Sequence, residues 1–136
     1  MDETRYRLLF EQLRDGIALM DANGRVIEAN DEFLRQAGRS LEALRNLPMW
    51  QLFGPALVEM HRARFRALAD QGGEADWRLG LRRPDGTELP VEMRARALTL
   101  SGRRHVLVSS RDSVERRKTE RLLQEQLEHL GVRAAA

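Results

Sequence analysis

The spacing of apolar residues predicts an α+β domain: a five-stranded antiparallel sheet with helices on one face, plus flanking N- and C-terminal helices. Three observations carry this. Near the start, "GIALMD", "ANG" and "RVIEAN" form a strand–turn–strand signal. From about residue 30 to residue 69 the apolar period is helical, with cap and stop residues between segments. After Gly72-Gly73 the period switches to two and stays there until Asp112. The order β-β-α-α-α-β-β-β then describes one antiparallel sheet, with its helices gathered on one face.

The elements follow in chain order. Residues 1–15 carry Tyr6, Leu9, Phe10 and Leu13 at the i, i+3, i+4, i+7 spacing of a single helical face, and Gly16 closes that helix. In the first hairpin, Asn23-Gly24 is expected to supply the positive φ values of a tight turn. Asn30 is the expected N-cap of a short helix with Phe33, Leu34 and Ala37 on one face, stopped by Gly38. Ser40 begins a second short helix that ends before Pro48, and a longer one is expected from Pro55 to Ala69 with Leu57, His61, Phe65 and Leu68 as its apolar stripe. "DWRLGLRR" places Trp77, Leu79 and Leu81 on one strand face. After "PDG", a second strand does the same with Leu89, Val91, Met93, Ala95 and Ala97. Pro90 points to an edge or a bulge near the start of that strand. Ser101-Gly102 turns the chain into a last strand, "RRHVLVSS".

At 136 residues the chain has the size of one domain with appendages: the N-terminal helix over 1–15, a core over 16–112, and a C-terminal helix and tail over 113–136. With no cysteine, disulfides, thiolate catalysis, Cys-ligated zinc and any cysteinyl adduct with a flavin are excluded. Apolar runs are too short for a membrane span and the N-terminus has no signal-peptide pattern, so a cytoplasmic location without membrane contact is expected. The 23 basic residues face 21 acidic ones, leaving a net charge of +2. Interleaved signs of this kind make solvated surface, and nucleic acid is not the expected partner.

Several stretches together resemble the PAS sensory domains: "YRLLFEQLRDGIALMDANGRVIEAN", "ANDEFLRQAG", "RRPDGTELPVEM" and "RDSVERRKTE". The last is similar to the junction that ends many bacterial PAS domains and opens an output helix. Val114 stands where that junction usually has Thr, while Asp112, Glu115 and Arg116 match it. The resemblance implies the strand order 2-1-5-4-3, a pocket between sheet and helices, and use as a sensor or dimerisation module of a signalling protein. It does not identify a ligand, because one scaffold serves many.

Candidate pocket residues are Phe33, Trp50, Phe53, Leu57, His61, Phe65, Trp77, Leu79, Val91, Met93, Val106 and Val108, although a sheet must bury one face whether or not it binds anything. His61 lies on the apolar stripe of the long helix, where haem-binding PAS sensors carry their axial ligand. A haem-based gas or redox sensor is therefore an alternative reading, with Arg62, Arg64 and Arg78 as propionate partners. The cofactor is otherwise unassigned, and no metal site is expected. The chain has no Gly-rich phosphate loop, Ser/His/Asp arrangement or helical zinc spacing, which argues against an enzyme.

The stretch "RDSVERRKTERLLQEQL" follows the last strand directly. From Arg111 to Arg121 it holds five basic and three acidic side chains, a solvated helix rather than a basic patch. Asp112 or Ser113 is its expected cap, with Glu115 reaching back, and Asp112, Ser113, Glu115 and Arg116 form the expected signal junction. Leu123, Leu127 and Leu130 have the spacing of a short coiled-coil seam. With Tyr6, Leu9, Phe10 and Leu13 they are the expected homodimer interface. The effector is expected in a longer parent chain or a separate protein. A ligand-free dimerisation scaffold is the third reading.

Overall fold

The computed structural model describes residues 15–54 and 57–131. In chain order these form β1 (Gly16–Asp21), β2 (Val26–Ala29), α1 (Asp31–Ala37), α2 (Leu41–Arg45), a 3-10 helix (Met49–Leu52), α3 (Val58–Gln71), β3 (Glu74–Arg82), β4 (Glu88–Leu100), β5 (Arg103–Asp112) and α4 (Ser113–His129). The strands make one antiparallel sheet in the order β2-β1-β5-β4-β3. This is the order the family resemblance implies. The expected N-terminal helix, with Tyr6, Leu9, Phe10 and Leu13, lies outside the described residues.

Turn chemistry explains the hairpins, with one correction. At the first turn only Gly24 takes a positive φ, of 79°, while Asn23 does not. The Gly24 N–H donates to Asp21 O at 3.1 Å and the Asp21 N–H to Arg25 O at 3.0 Å, so the loop has three residues and a left-handed last position rather than two primed ones. The Asp21 carboxylate accepts from the N–H groups of Asn23 and Arg25, which favours this form. Pro84-Asp85-Gly86 repeats the design, with Asp85 accepting from the backbone and hydroxyl of Thr87. Ser101-Gly102 is the two-residue version, with φ of 52° and 76°.

Two other expectations shift. α3 spans Val58–Gln71, two residues past the expected end at Ala69, while Pro55 and Ala56, where it was expected to begin, lie outside the described residues. Leu57 is the residue before the helix and is 49% exposed, so it is not part of the buried stripe formed by His61, Phe65 and Leu68. Pro90 lies in β4, an interior strand without a bulge there. Its tolerance is local: pairing with β5 ends at Val91 and Asp112, so Pro90 is flanked only by Gly80 of β3.

Helices and the 3-10 segment cover one sheet face. Met20, Leu81, Val91, Met93, Ala95, Val106 and Val108 pack there against Phe33 and Ala37 of α1, Leu44 of α2, and Phe65, Leu68 and Ala69 of α3. β4 shows the division most simply, alternating buried Leu89, Val91, Met93 and Ala95 with exposed Arg94 and Arg96. On the opposite face, Arg94 pairs with Asp76 at 3.0 Å, Arg96 with Glu74 at 3.5 Å and Arg111 with Asp15 at 3.3 Å. These exposed pairs add little stability and keep that face hydrophilic.

Candidate functional site

Between α3, the 3-10 helix and β3, the rings of Trp50, Phe53, His61, Phe65 and Trp77 meet together with Met49. Trp50 and Phe65 lie 5.8 Å apart and tilted, Phe53 and His61 4.5 Å apart and tilted, both common geometries for ring pairs. They enclose a cavity of about 10 Å³. That is about the room one water needs. A second space, an open groove of about 860 Å³, lies outside this cluster, between the start of α3, the β3–β4 hairpin and the base of α4. Leu57, Met60, Leu79 and Val91 give it apolar surface, while Arg64, Glu88 and Glu120 give it charge. Phe53 and His61 line both spaces and form the partition between them.

Of the residues expected in a pocket, the structure thus brings Trp50, Phe53, His61, Phe65 and Trp77 around the inner cavity and Leu57, Leu79 and Val91 to the groove. Phe33, Met93, Val106 and Val108 are fully packed in the core and line neither space. Met49 and Met60 line them and were not among the expected residues. Both sit next to one that was (Trp50 and His61), so the adjacent apolar position was the available signal.

His61 is 5% exposed. Burial, and secondarily the positive charge of Arg64, hold its pKa below the ordinary 6.5. The folded protein therefore binds fewer protons here than the unfolded chain does, and stability rises with pH across this interval. The contribution is present above pH 6.5 and is lost as the pH falls below it. Wild type is expected to lose more unfolding free energy between pH 7.5 and pH 5.5 than His61→Gln, a comparison that urea titrations at the two pH values measure. The inner cavity beside His61, about 10 Å³, is far below the roughly 300 Å³ or more that a ligand of haem size needs, whereas the groove that His61 also lines, about 860 Å³, is above it. Among the described residues, no cluster of His, Asp or Glu could hold a metal ion.

The second notable place is the exit of β5. No loop separates β5 from α4: Asp112 ends one and Ser113 begins the other. Asp112 is the cap, its Oδ1 accepting from the Val114 N–H at 2.9 Å, and its Oδ2 accepts from Arg35 of α1 at 3.1 Å. Ser113 is buried beside it. The backbones of Glu115 and Arg116 belong to α4, while their side chains, and with them the expected return contact of Glu115, lie outside the described residues. Leu123 and Leu127 are exposed along α4, joined by Leu122, which the seam pattern leaves out, and Leu130 is exposed in the turn just past the end of the helix. No described helix is long and apolar enough to cross a membrane.

A family model described as the PAS fold matches residues 10–118. The chain is 25% identical over 119 residues to the methyl sulfide methyltransferase-associated sensor of Methanosarcina acetivorans, covering 87% of this chain and 12% of that protein. It is 40% identical over 45 residues to the sensor histidine kinase TmoS of Ectopseudomonas mendocina, covering 33% of this chain and 5% of that one. The chain therefore spans a small part of the length of these relatives. A solved domain of the sensory box sensor histidine kinase/response regulator from Geobacter sulfurreducens superposes with a TM-score of 0.67 at 27% identity, covering 80% of this chain and 92% of that one. With the sheet order, the helices on one face and a family match over most of its length, the chain belongs to the PAS fold family.

Proposed function

We propose that the chain is the sensory and dimerisation module of a bacterial-type signalling protein, which binds a small ligand or a partner and passes its state through α4. The observation that carries this is the direct passage from β5 into α4. A shift of the last strand has no flexible loop in which to dissipate, and α4 ends in exposed leucines that a second α4 would cover. The named relatives, both sensors and both much longer than this chain, support it. The ligand, if small and bound without rearrangement, belongs in the groove beside His61 rather than in the filled interior.

A Leu123→Ala/Leu127→Ala double variant is expected to weaken self-association at least tenfold in sedimentation velocity, while its far-UV spectrum and melting midpoint stay close to wild type because both side chains are exposed. Equal association of wild type and variant across the concentration range would refute pairing through α4. Native mass spectrometry separates a ligand-binding sensor, which carries a co-purified small molecule, from a ligand-free scaffold, which does not.

A further inference from the structure

Three residues of α1 and the β3–β4 turn make a chain of contacts that joins the groove to α4. Arg83, the last residue before the Pro84-Asp85-Gly86 loop, donates from Nε to Gln36 O at 3.2 Å and from Nη2 to Arg35 O at 3.3 Å, so the end of the β3–β4 hairpin is fastened to the final carbonyls of α1. The side chains of those same two residues point the other way. Arg35 reaches Asp112 at 3.1 Å, and Gln36 donates from Nε2 to Ser110 O at 3.0 Å. Glu32 steadies both, accepting from Arg35 and, at 3.3 Å, from Gln36. Its hydrogen bond is the main reason the Arg35 pKa is raised.

The grip on β5 also leaves two polar atoms unsatisfied. Gln36 Oε1 and Ser110 Oγ are buried with no hydrogen-bond partner among the described residues, although they belong to the two residues already joined through Nε2 and the Ser110 carbonyl. Buried polar atoms seek partners. A small displacement of α1 along β5 that lets the Ser110 hydroxyl donate to Gln36 Oε1 would satisfy both, and it would carry Arg35, and the Asp112 cap it holds, with it. Two discrete packings of α1 would give the hairpin and the cap of α4 one element that both bias.

We propose that Arg83, Arg35 and Gln36 form a relay by which displacement of the β3–β4 hairpin, the wall of the groove, is transmitted through α1 to the first turn of α4. The inference rests on the reading of α4 as the output helix. Its test is confined to one chain, so it can fail while that reading stands, and the self-association experiment can fail while the relay stands.

The absence of cysteine lets two spin labels be placed alone, at Arg66→Cys on α3 and Arg121→Cys on α4, both exposed. Labelled protein is diluted into excess unlabelled protein so that only distances within a chain are read by double electron–electron resonance. Arg35→Gln is expected to shift or broaden the 66–121 distance distribution. Arg83→Gln is expected to change it in the same direction, and the double variant to do no more than the larger single one, since both act on one path. Arg45→Gln, which removes a comparable exposed contact to Ile27 O outside the path, leaves it unchanged. Asp112→Ser keeps an oxygen to cap α4 but is too short to reach Arg35, and it reproduces the Arg35→Gln result if Arg35→Gln itself does not fold. A wild-type distribution in Arg35→Gln or Asp112→Ser, or additive effects of Arg35→Gln and Arg83→Gln, would overturn the relay.

Discussion

Asn30→Ala is expected to lower the unfolding free energy by about 2–4 kcal/mol, a large part of what a domain of this size has to lose. Asn30 is fully buried, and among the described residues its side chain makes the three hydrogen bonds that follow. Oδ1 accepts from the Phe33 N–H at 3.0 Å, which caps α1, and from the Ile17 N–H at 2.8 Å, while Nδ2 donates to Asp15 O at 2.9 Å. Loss of an N-cap alone costs about 1 kcal/mol. The larger share comes from leaving backbone groups of β1 and α1 unpaired in a site closed to water, at about 1–3 kcal/mol each. Urea denaturation checks it: the midpoint falls while the slope holds, because the surface exposed on unfolding hardly changes. Asn30→Asp is the informative companion. It keeps the two acceptor bonds and gives up the donor to Asp15 O, so a loss equal to that of alanine would mean that the cap is not what matters.

Gly16→Val is expected to cost about 3 kcal/mol. A Cβ at residue 16 would sit 2.9 Å from the Phe33 Cα and 3.2 Å from both the Phe33 Cβ and Gln36 Oε1. The nearest of these is backbone, so no rotamer change relieves it, and α1 must lift from β1. Overpacking of this kind costs about 1–3 kcal/mol, and valine adds two further carbons beyond the one that already overlaps. Because Gly16 pairs with Ser110 of β5, a lifted α1 would also loosen the grip of Gln36 on that strand. Alanine at the same position is expected to show a smaller loss in the same urea measurement, with the order glycine, alanine, valine. Equal stability of all three would mean that the helix is not held at that separation.

Much of the fold was legible because it is local. Gly86 and Ser101-Gly102 turn the chain where their conformational freedom allows it, Asn30 and Ser40 cap the helices they precede, and the change of period after Gly72-Gly73 marks the return to strands. Asn23 misled because Asn-Gly suits a two-residue loop, and the choice of the three-residue form lies with the Asp21 carboxylate, which holds two N–H groups across the turn. Leu57 misled because helical spacing does not say how far along a stripe the covering layer reaches, and at the start of α3 this side chain is left half exposed. In the candidate site, the stripe placed His61 and Phe65 inward correctly, yet whether the rings around them leave space for a ligand does not follow from knowing which rings they are. Cavity volume is a small difference between two large ones, the space between the layers and the side chains that fill it, and it responds to a single methylene.

What the sequence determined by itself is the succession of elements, most of the faces they bury and the start of the last helix at Asp112 or Ser113, since each depends on residues a few positions apart. Only the tertiary structure decided that the interior is filled, that the open space lies at the base of α4, and that Arg35 meets Asp112. That last contact spans 77 residues of chain. Its partners are an exposed arginine and a largely covered carboxylate, and among many arginines and carboxylates only the packing of α1 against β1 and β5 selects which two come within reach.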